Sequence, residues 1–319
     1  MIDVQHLTKR YGSFTAVDDI SFAARPGEVL GFLGPNGAGK TTTMRILTGY
    51  MPPTSGQAKV AGWDVFEDSI EARRHTGYLP ETVPLYPDMT ARGYLDFVAD
   101  LRRLPHRREK VRAALERVGL EERADSLIRN LSKGMRQRLG LAQAIIHSPE
   151  VLILDEPTIG LDPHQVIEVR QLVRELGRHH TVMFSTHILS EAEQVCDRVL
   201  IIEQGRIVAE GAPQTLRDDL GRGGRVYLRL ATRQGSEKIV EAVRRVVGVE
   251  EVTPEGDGYL VRMAANRDAR ADIAAAVMSA GGRLIELRPW AMTLEDIFLE
   301  LTTAQLPAVS SGRRAPRLR

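Results

Sequence analysis

The stretch Gly34-Pro35-Asn36-Gly37-Ala38-Gly39-Lys40-Thr41 constrains this chain more than any other, because it joins an apolar run, Glu28–Leu33, to a helical run, Thr41–Leu47. It fits the pattern G-x-x-x-x-G-K-[ST] in the strand–loop–helix setting that gives the pattern its meaning. Glycines let the backbone turn its N–H groups inward with no Cβ in the way. Together with the helix N-terminus these N–H groups form an anion cradle. In such a cradle Lys40 reaches the β and γ phosphates of a nucleotide, the Thr41 hydroxyl can bind Mg²⁺, and Thr42 continues the lining. The chain must therefore hold an α/β core with a strand ending at this loop.

Val151-Leu-Ile-Leu154 supplies a second strand of the same kind, and it ends in Asp155-Glu156. An acid placed there stands at the carboxyl end of the sheet, where ligands bind in open α/β folds. Asp155 is the candidate Mg²⁺ ligand, directly or through water, and Glu156 the candidate general base for the attacking water. Such assistance is worth on the order of 100- to 10,000-fold in rate.

Met1 to about Asp219 reads as α/β throughout. Thr181–Ser185 and Arg198–Ile202 add further apolar strands without interruption, as in a parallel sheet covered on both faces. Between about residues 90 and 147 the strand signals stop. Tyr94-Leu95-Phe97-Val98-Leu101 and Val111-Ala114-Leu115-Val118 have helical spacing, so this reads as a helical subdomain set into the core. Gly221-Arg222-Gly223-Gly224 signals a linker. After it the order is strand Arg225–Leu230, helix Ser236–Val247, strands Glu250–Val252 and Gly258–Met263, helix Asp268–Ala280 and strand Arg283–Leu287. That β-α-β-β-α-β order over about residues 225 to 303 is ferredoxin-like, an α+β accessory domain. A closing helix is expected over Thr293–Leu301, and residues 307–319, with four arginines among Pro, Ser and Gly, read as a disordered basic tail.

Composition limits the setting. The chain has 319 residues, enough for two domains, with 43 basic and 42 acidic side chains, so nothing overall points to a nucleic-acid partner. Cys196 is the only cysteine, which forbids an internal disulfide and suits a reducing cytoplasm; its apolar neighbourhood reads as a buried small side chain. No apolar run nears the roughly 20 residues a membrane span needs. A membrane role would have to come through a partner.

Phosphate loops serve kinases, GTPases, helicases and motors alike. Leu131-Ser132-Lys-Gly134-Met-Arg-Gln-Arg138, leading into a helical run shortly before Val151, narrows the field. It resembles the signature of ATP-binding cassette (ABC) proteins. In that light Gly34–Thr41 is similar to Walker A, Val151–Glu156 to Walker B, Asp162 in Gly160-Leu-Asp162-Pro to the D-loop, and His187 in Ser-Thr-His187 to the switch histidine. Tyr11 resembles the aromatic that stacks on adenine. The resemblance covers residues 1 to about 219. Three positions, in two motifs, depart from it: Glu81 in Gly77-Tyr-Leu-Pro-Glu81 stands where the Q-loop has glutamine, and Lys133 and Met135 stand where the signature has Gly and Gln. Glu81 can still sense Mg²⁺ or a water. These features, with Leu33–Tyr50, Tyr78–Tyr86 and Thr293–Leu301, are most similar to ATPase subunits of type-2 ABC exporters, the gliding-motility and drug-resistance members among them.

The resemblance implies an ATPase that powers a separate integral-membrane permease, with Mg²⁺ accompanying ATP. It implies a homodimer in which Ser132 and Gly134 of one copy close on the nucleotide held by the other. A helix tip at Ser132 has the chemistry for this, since its free N–H groups make a second anion site. Glu156, His187 and Lys40 are then the catalytic residues. The nucleotide is bound by Tyr11, the loop Gly34–Thr42, Glu81, Ser132, Gly134 and Asp162, and the metal by Thr41, Asp155 and Glu81. The expected location is cytoplasmic, against the inner membrane face through the permease. ABC ATPases of translation and DNA repair are the alternative, but they usually carry two cassettes or long coiled-coil or zinc insertions, which this chain lacks.

Overall fold

The computed structural model describes residues 1–220, 224–232, 236–264 and 268–290. The expected helix Thr293–Leu301, the basic tail and the first three linker residues lie outside them. The described chain divides into two compact units, Met1–Pro213 and a second that begins at Gln214.

The first unit opens with a hairpin, β1 (Ile2–Tyr11) and β2 (Phe14–Ala24), followed by β3 (Val29–Leu33) and helix α1 (Lys40–Leu47). Next come β4 (Ser55–Val60), β5 (Trp63–Asp64), α2 (Ser69–Arg74) and β6 (Thr76–Leu79). Helices α3 (Ala91–Leu101), α4 (Arg107–Arg117) and α5 (Lys133–Ile145) fill the stretch where strand signals stop. The core resumes with β7 (Val151–Leu154), α6 (Pro163–Gly177), β8 (Thr181–Thr186), α7 (Leu189–Val195), β9 (Arg198–Glu203) and β10 (Arg206–Gly211).

Two sheets result. One has six strands in the order β10-β9-β3-β8-β7-β6, parallel except for the β10 edge. Every residue of β3, β7 and β8 is buried, which is why β3, β7 and the middle of β8 are apolar without alternation. The second sheet, β2-β1-β4-β5, is antiparallel. The sequence reading does not anticipate it. Bulges between Val4 and Leu7, and positive φ at His6 and Asp19, break the alternation by which a half-buried strand is recognised.

Helix α1 is held between the sheets. Its Met44, Ile46 and Leu47 share one core with Ile2, Val4, Val60, Leu30 and Ile153. Each such fully buried side chain contributes about 1.5–3 kcal/mol of transfer free energy. Phe22 of β2 meets Phe32 of β3 at 5.7 Å between ring centroids. The start of the helix, and with it the phosphate loop, is fixed from both sides. Cys196 is buried, and burial pushes its thiol pKa up, so it packs as a small apolar group.

The second unit opens with helix α8 (Pro213–Leu220) and continues with β11 (Arg225–Leu230), α9 (Glu237–Arg244), β12 (Val249–Glu255), β13 (Gly258–Met263), α10 (Arg270–Ser279) and β14 (Leu284–Pro289). Its antiparallel strands lie in the order β12-β13-β11-β14, and Val226, Leu228, Val243, Val261, Ile273 and Val277 form its core. Among the described residues no helix is long and apolar enough to cross a membrane.

Gly77 of β6 lies flat beneath α5: a Cβ there would sit 2.1 Å from the Ala144 carbonyl oxygen. Overpacking of this kind costs about 1–3 kcal/mol. Gly77→Ala should therefore lower the melting temperature by roughly 5 °C in a domain of this size. A melt that coincides with wild type would show that α5 does not press on β6 as described.

Candidate functional site: a phosphate cradle closed by a carboxylate and a histidine

Parallel pairing sets the level at which the strands end. Leu33 pairs with Thr186, Leu154 with Phe184 and Leu79 with Leu154. The loop at Gly34, the acids Asp155 and Glu156, His187 and Glu81 therefore leave the sheet along one edge. The Asp155 N–H donates to the Leu79 carbonyl at 2.8 Å, which ties two of these exits together.

The phosphate loop needs glycine for two separate reasons. Gly37 and Gly39 adopt φ of +83° and +109°, which side chains resist. A Cβ on Gly34 would lie 2.3 Å from the Ile202 carbonyl oxygen, and one on Gly39 would lie 2.5 Å from that of Ala16. Gly39 is also the N-cap of α1 and brings no side chain to its N–H groups, so these stay open to an anion. Lys40 folds back under the loop, 6% exposed. Its ammonium donates to the carbonyls of Gly34 at 2.7 Å and Pro35 at 3.3 Å.

Asp155 is fully buried at the end of β7. Oδ1 accepts a hydrogen bond from the Ser185 hydroxyl at 2.7 Å, whereas Oδ2 has no hydrogen-bond partner. The Thr41 hydroxyl lies beside the same carboxylate. Burial raises the Asp155 pKa above the usual carboxylate value, against the lowering effect of the Ser185 and Thr41 hydroxyls. An unpaired oxygen on a buried carboxylate carries a standing desolvation cost, and a hard divalent cation relieves it. Residues Thr41 and Asp155 thus fit a magnesium ion.

Glu156 stands in the left-handed region with φ of 49°, a conformation that costs on the order of 1–3 kcal/mol and collects at functional sites. Ser185 stabilises the turn: its hydroxyl accepts from the Glu156 N–H at 2.9 Å while donating to Asp155. The turn aims the carboxylate in two directions. Oε2 is 2.9 Å from His187 Nδ1, and Oε1 is 3.4 Å from the Lys40 ammonium. The phosphate-loop lysine, the Walker-type glutamate and the switch-type histidine therefore form one line of contacts.

Tyr11, Pro35, Asn36, Gly37, Gly39 to Thr42, Glu81 and Glu156 line a single cleft of about 380 Å³. Gly34 lies behind the loop wall, and Ala38 is buried within it. Phe14, Ala16 and Ile159 complete the lining and were not singled out from sequence. Phe14 pairs with Tyr11 across the Gly12 turn, and both rings are exposed, at 62% and 46%. An aromatic three residues after Tyr11 was the only available signal. The Tyr11 hydroxyl donates to Met51 Sδ at 3.0 Å, and the Lys9 ammonium lies 5.4 Å from its ring centroid.

Ser132, Gly134 and Asp162 do not line that cleft. Ser132 caps α5, its hydroxyl accepting from Met135 N–H at 3.2 Å, and Asp162 caps α6, accepting from Gln165 N–H at 3.0 Å. The two helix tips are neighbours: a Cβ on Gly134 would lie 2.3 Å from Gln165 Oε1. Lys133, the departure beside them, lays its side chain over Gly160. The α6 N-terminus is already met by the Asp162 carboxylate, while that of α5, capped by a neutral hydroxyl, gives a second, separate patch suited to an anion.

Residues 17–159 match the family model described as ABC transporter. The bacitracin transport ATP-binding protein BcrA of Bacillus licheniformis is 36% identical over 303 residues, covering 94% of this chain and 97% of that protein. The linearmycin resistance ATP-binding protein LnrL of Bacillus subtilis is 38% identical over 256 residues, covering 79% and 82%. Among solved structures, one titled as the ATP-binding subunit of an ABC transporter superposes with a TM-score of 0.63 at 31% identity, covering 69% of this chain and 93% of the other. The dimeric structure of MJ0796, a bacterial ABC transporter cassette, gives 0.62 at 25% identity, covering 66% and 98%.

The raised pKa of Asp155 has a consequence for stability. The native state holds the proton more tightly than the unfolded chain, so this group's contribution falls as pH rises from the ordinary carboxylate value through its native one. At neutral pH Asp155→Asn should melt higher than wild type without nucleotide, and should lose the further stabilisation that magnesium adds to ATP. Differential scanning calorimetry checks both. A lower melting temperature at pH 7 with the magnesium effect intact would contradict the assignment.

Proposed function

Because the chain belongs to the ATP-binding subunits of ABC transporters, we propose that it hydrolyses ATP in the Tyr11–Glu156 cleft and drives export through a separate membrane permease, at the inner face of the membrane. The observation that carries this reading is the contact line Lys40–Glu156–His187 at the mouth of the phosphate cradle.

The adenine ring stacks on Tyr11, with Phe14 as a second aromatic at the rim. Stacking of this kind contributes roughly 1 kcal/mol. The triphosphate lies against the N–H groups of Gly37 to Thr42. Lys40 exchanges the Gly34 and Pro35 carbonyls for β and γ phosphate oxygens, a charge-assisted and stronger set of acceptors. Thr41, Asp155 and Glu81 would hold magnesium, which spreads the developing phosphate charge. Glu156, released from Lys40, takes the proton of the attacking water. His187 keeps Nδ1 on Glu156, so Nε2 is the nitrogen left to contact the γ-phosphate.

Ser132 and Gly134 serve a nucleotide held by a second copy, with Asp162 at the same face. The support is that they lie outside their own chain's cleft while forming an anion-suited patch. MJ0796 is described as dimeric, and BcrA as a transport protein. The helical subdomain, joined to the cleft at Glu81, passes the motion to the permease. We read the second unit as a ferredoxin-like accessory domain; its strand order and its two helices support this.

Replacing Glu156 by Gln keeps the shape and removes the base. Steady-state ATP hydrolysis should fall by on the order of 100- to 10,000-fold, with ATP affinity held within a few-fold. Turnover at the wild-type rate would remove Glu156 from this role.

A further inference from the structure

Glu191 is 1% exposed on α7, and no motif draws attention to it. Its carboxylate is nonetheless the meeting point of three segments. Oε2 accepts from the Thr158 hydroxyl at 2.7 Å and from the Thr186 hydroxyl at 3.0 Å. Oε1 lies 3.2 Å from Arg170 Nη2. Thr158 and Thr186 are themselves buried, and Arg170 also donates to Gln194 Oε1 at 2.9 Å. The Thr186 hydroxyl accepts in addition from the Ile188 N–H at 3.0 Å, so it is engaged as donor and acceptor on either side of His187.

The position of each partner gives the cluster its meaning. Thr158 stands two residues after Glu156, in the turn that leaves the sheet. Thr186 is the last residue of β8, directly before His187. Arg170 is on α6, the helix capped by Asp162. A buried carboxylate is costly unless donors surround it, and one that is fully paired rigidifies whatever supplies the donors. The 2.9 Å contact between Glu156 and His187 needs two separate chain exits to keep one relative position. Ser185 ties the start of the two exits together, and Glu191 ties them again one step further out, through Thr158 and Thr186.

We propose that Glu191 is a positioning residue for hydrolysis: through Thr158 and Thr186 it holds Glu156 and His187 in mutual register, and through Arg170 it locks that pair to the helix bearing Asp162. Being 1% exposed, it does not line the cleft. This inference rests on the ATPase reading above. If that reading fails, the wild-type chain will not hydrolyse ATP, whereas failure of this inference is seen only in the variants. A residue that merely stabilised the core would lower the folded fraction and leave the kinetics of the folded molecules unchanged.

The test uses the full chain and Mg-ATP. Glu191→Gln removes the charge opposite Arg170 and should lower kcat at least tenfold with KM within about twofold. Because it removes the charge partner of the half-buried Arg170 guanidinium and can impair folding, the gentler variants decide. Thr158→Val and Thr186→Val each delete one donor without unpairing a charge. Each should lower kcat several-fold at constant KM, and the double variant should fall short of the product of the two, since both act on one carboxylate. Thr158→Ser, which restores the hydroxyl, should return wild-type kcat. The proposal is overturned if the valine variants turn over at the wild-type rate. It is equally overturned if their loss tracks weaker nucleotide binding, or if Thr158→Ser is no better than Thr158→Val.

Discussion

The first unit depends on one constraint, the parallel register that brings the carboxyl ends of β3, β7 and β8 out along one edge of the sheet. Without it the loop at Gly34, the acid pair and His187 would be separate features of a long chain. With it, Lys40 and His187 meet the two oxygens of a single carboxylate at 3.4 and 2.9 Å. Burial makes the register specific. All of β3, β7 and β8 is enclosed, so a slip in pairing would displace apolar side chains and unpair ladder groups that water cannot reach.

The site holds several unfavourable features against that rigid frame. Glu156 stays in a left-handed turn, Asp155 keeps an oxygen without a partner, and Lys40 is buried under the loop it serves. Each is costly alone, by an amount of the order of a few kcal/mol. They are tolerated together because the sheet, Ser185 and helix α1 over-determine the geometry. Two of them also share a direction: a cation would satisfy the free Asp155 oxygen and phosphate the buried Lys40 ammonium, whereas the Glu156 turn stays held by Ser185.

Much of this was legible in the amino-acid sequence because it rests on local chemistry. A glycine loop between an apolar run and a helix, or an acid pair at the end of an apolar strand, has one plausible geometry. The strands Val151–Leu154, Arg225–Leu230 and Gly258–Met263 coincide with the expected bounds, since uninterrupted or cleanly bounded β-rich runs leave little choice. What could not be read depends on contacts far apart in sequence. The antiparallel sheet was hidden by its bulges. Ser185, Phe14 and Glu191 owe their roles to neighbours that only folding supplies: Ser185 to residues about thirty positions earlier, Glu191 to Thr158 and Arg170. Glu81 shows the intermediate case. Its departure from glutamine was visible at once, but its place on the cleft wall required the structure.

The remaining structural logic is a division of labour between two anion-suited regions on one chain. In the proposed reading the first would hold a nucleotide with its own loop, while the second, at the tip of α5, lies outside that cleft and would serve another copy. The most direct measurement is the mass of the Glu156→Gln chain by light scattering with saturating Mg-ATP. The account predicts a species of twice the 35.4 kDa chain mass that reverts to one chain when Ser132→Arg is added, although ATP still binds. A chain that binds ATP and stays at its monomer mass would contradict this.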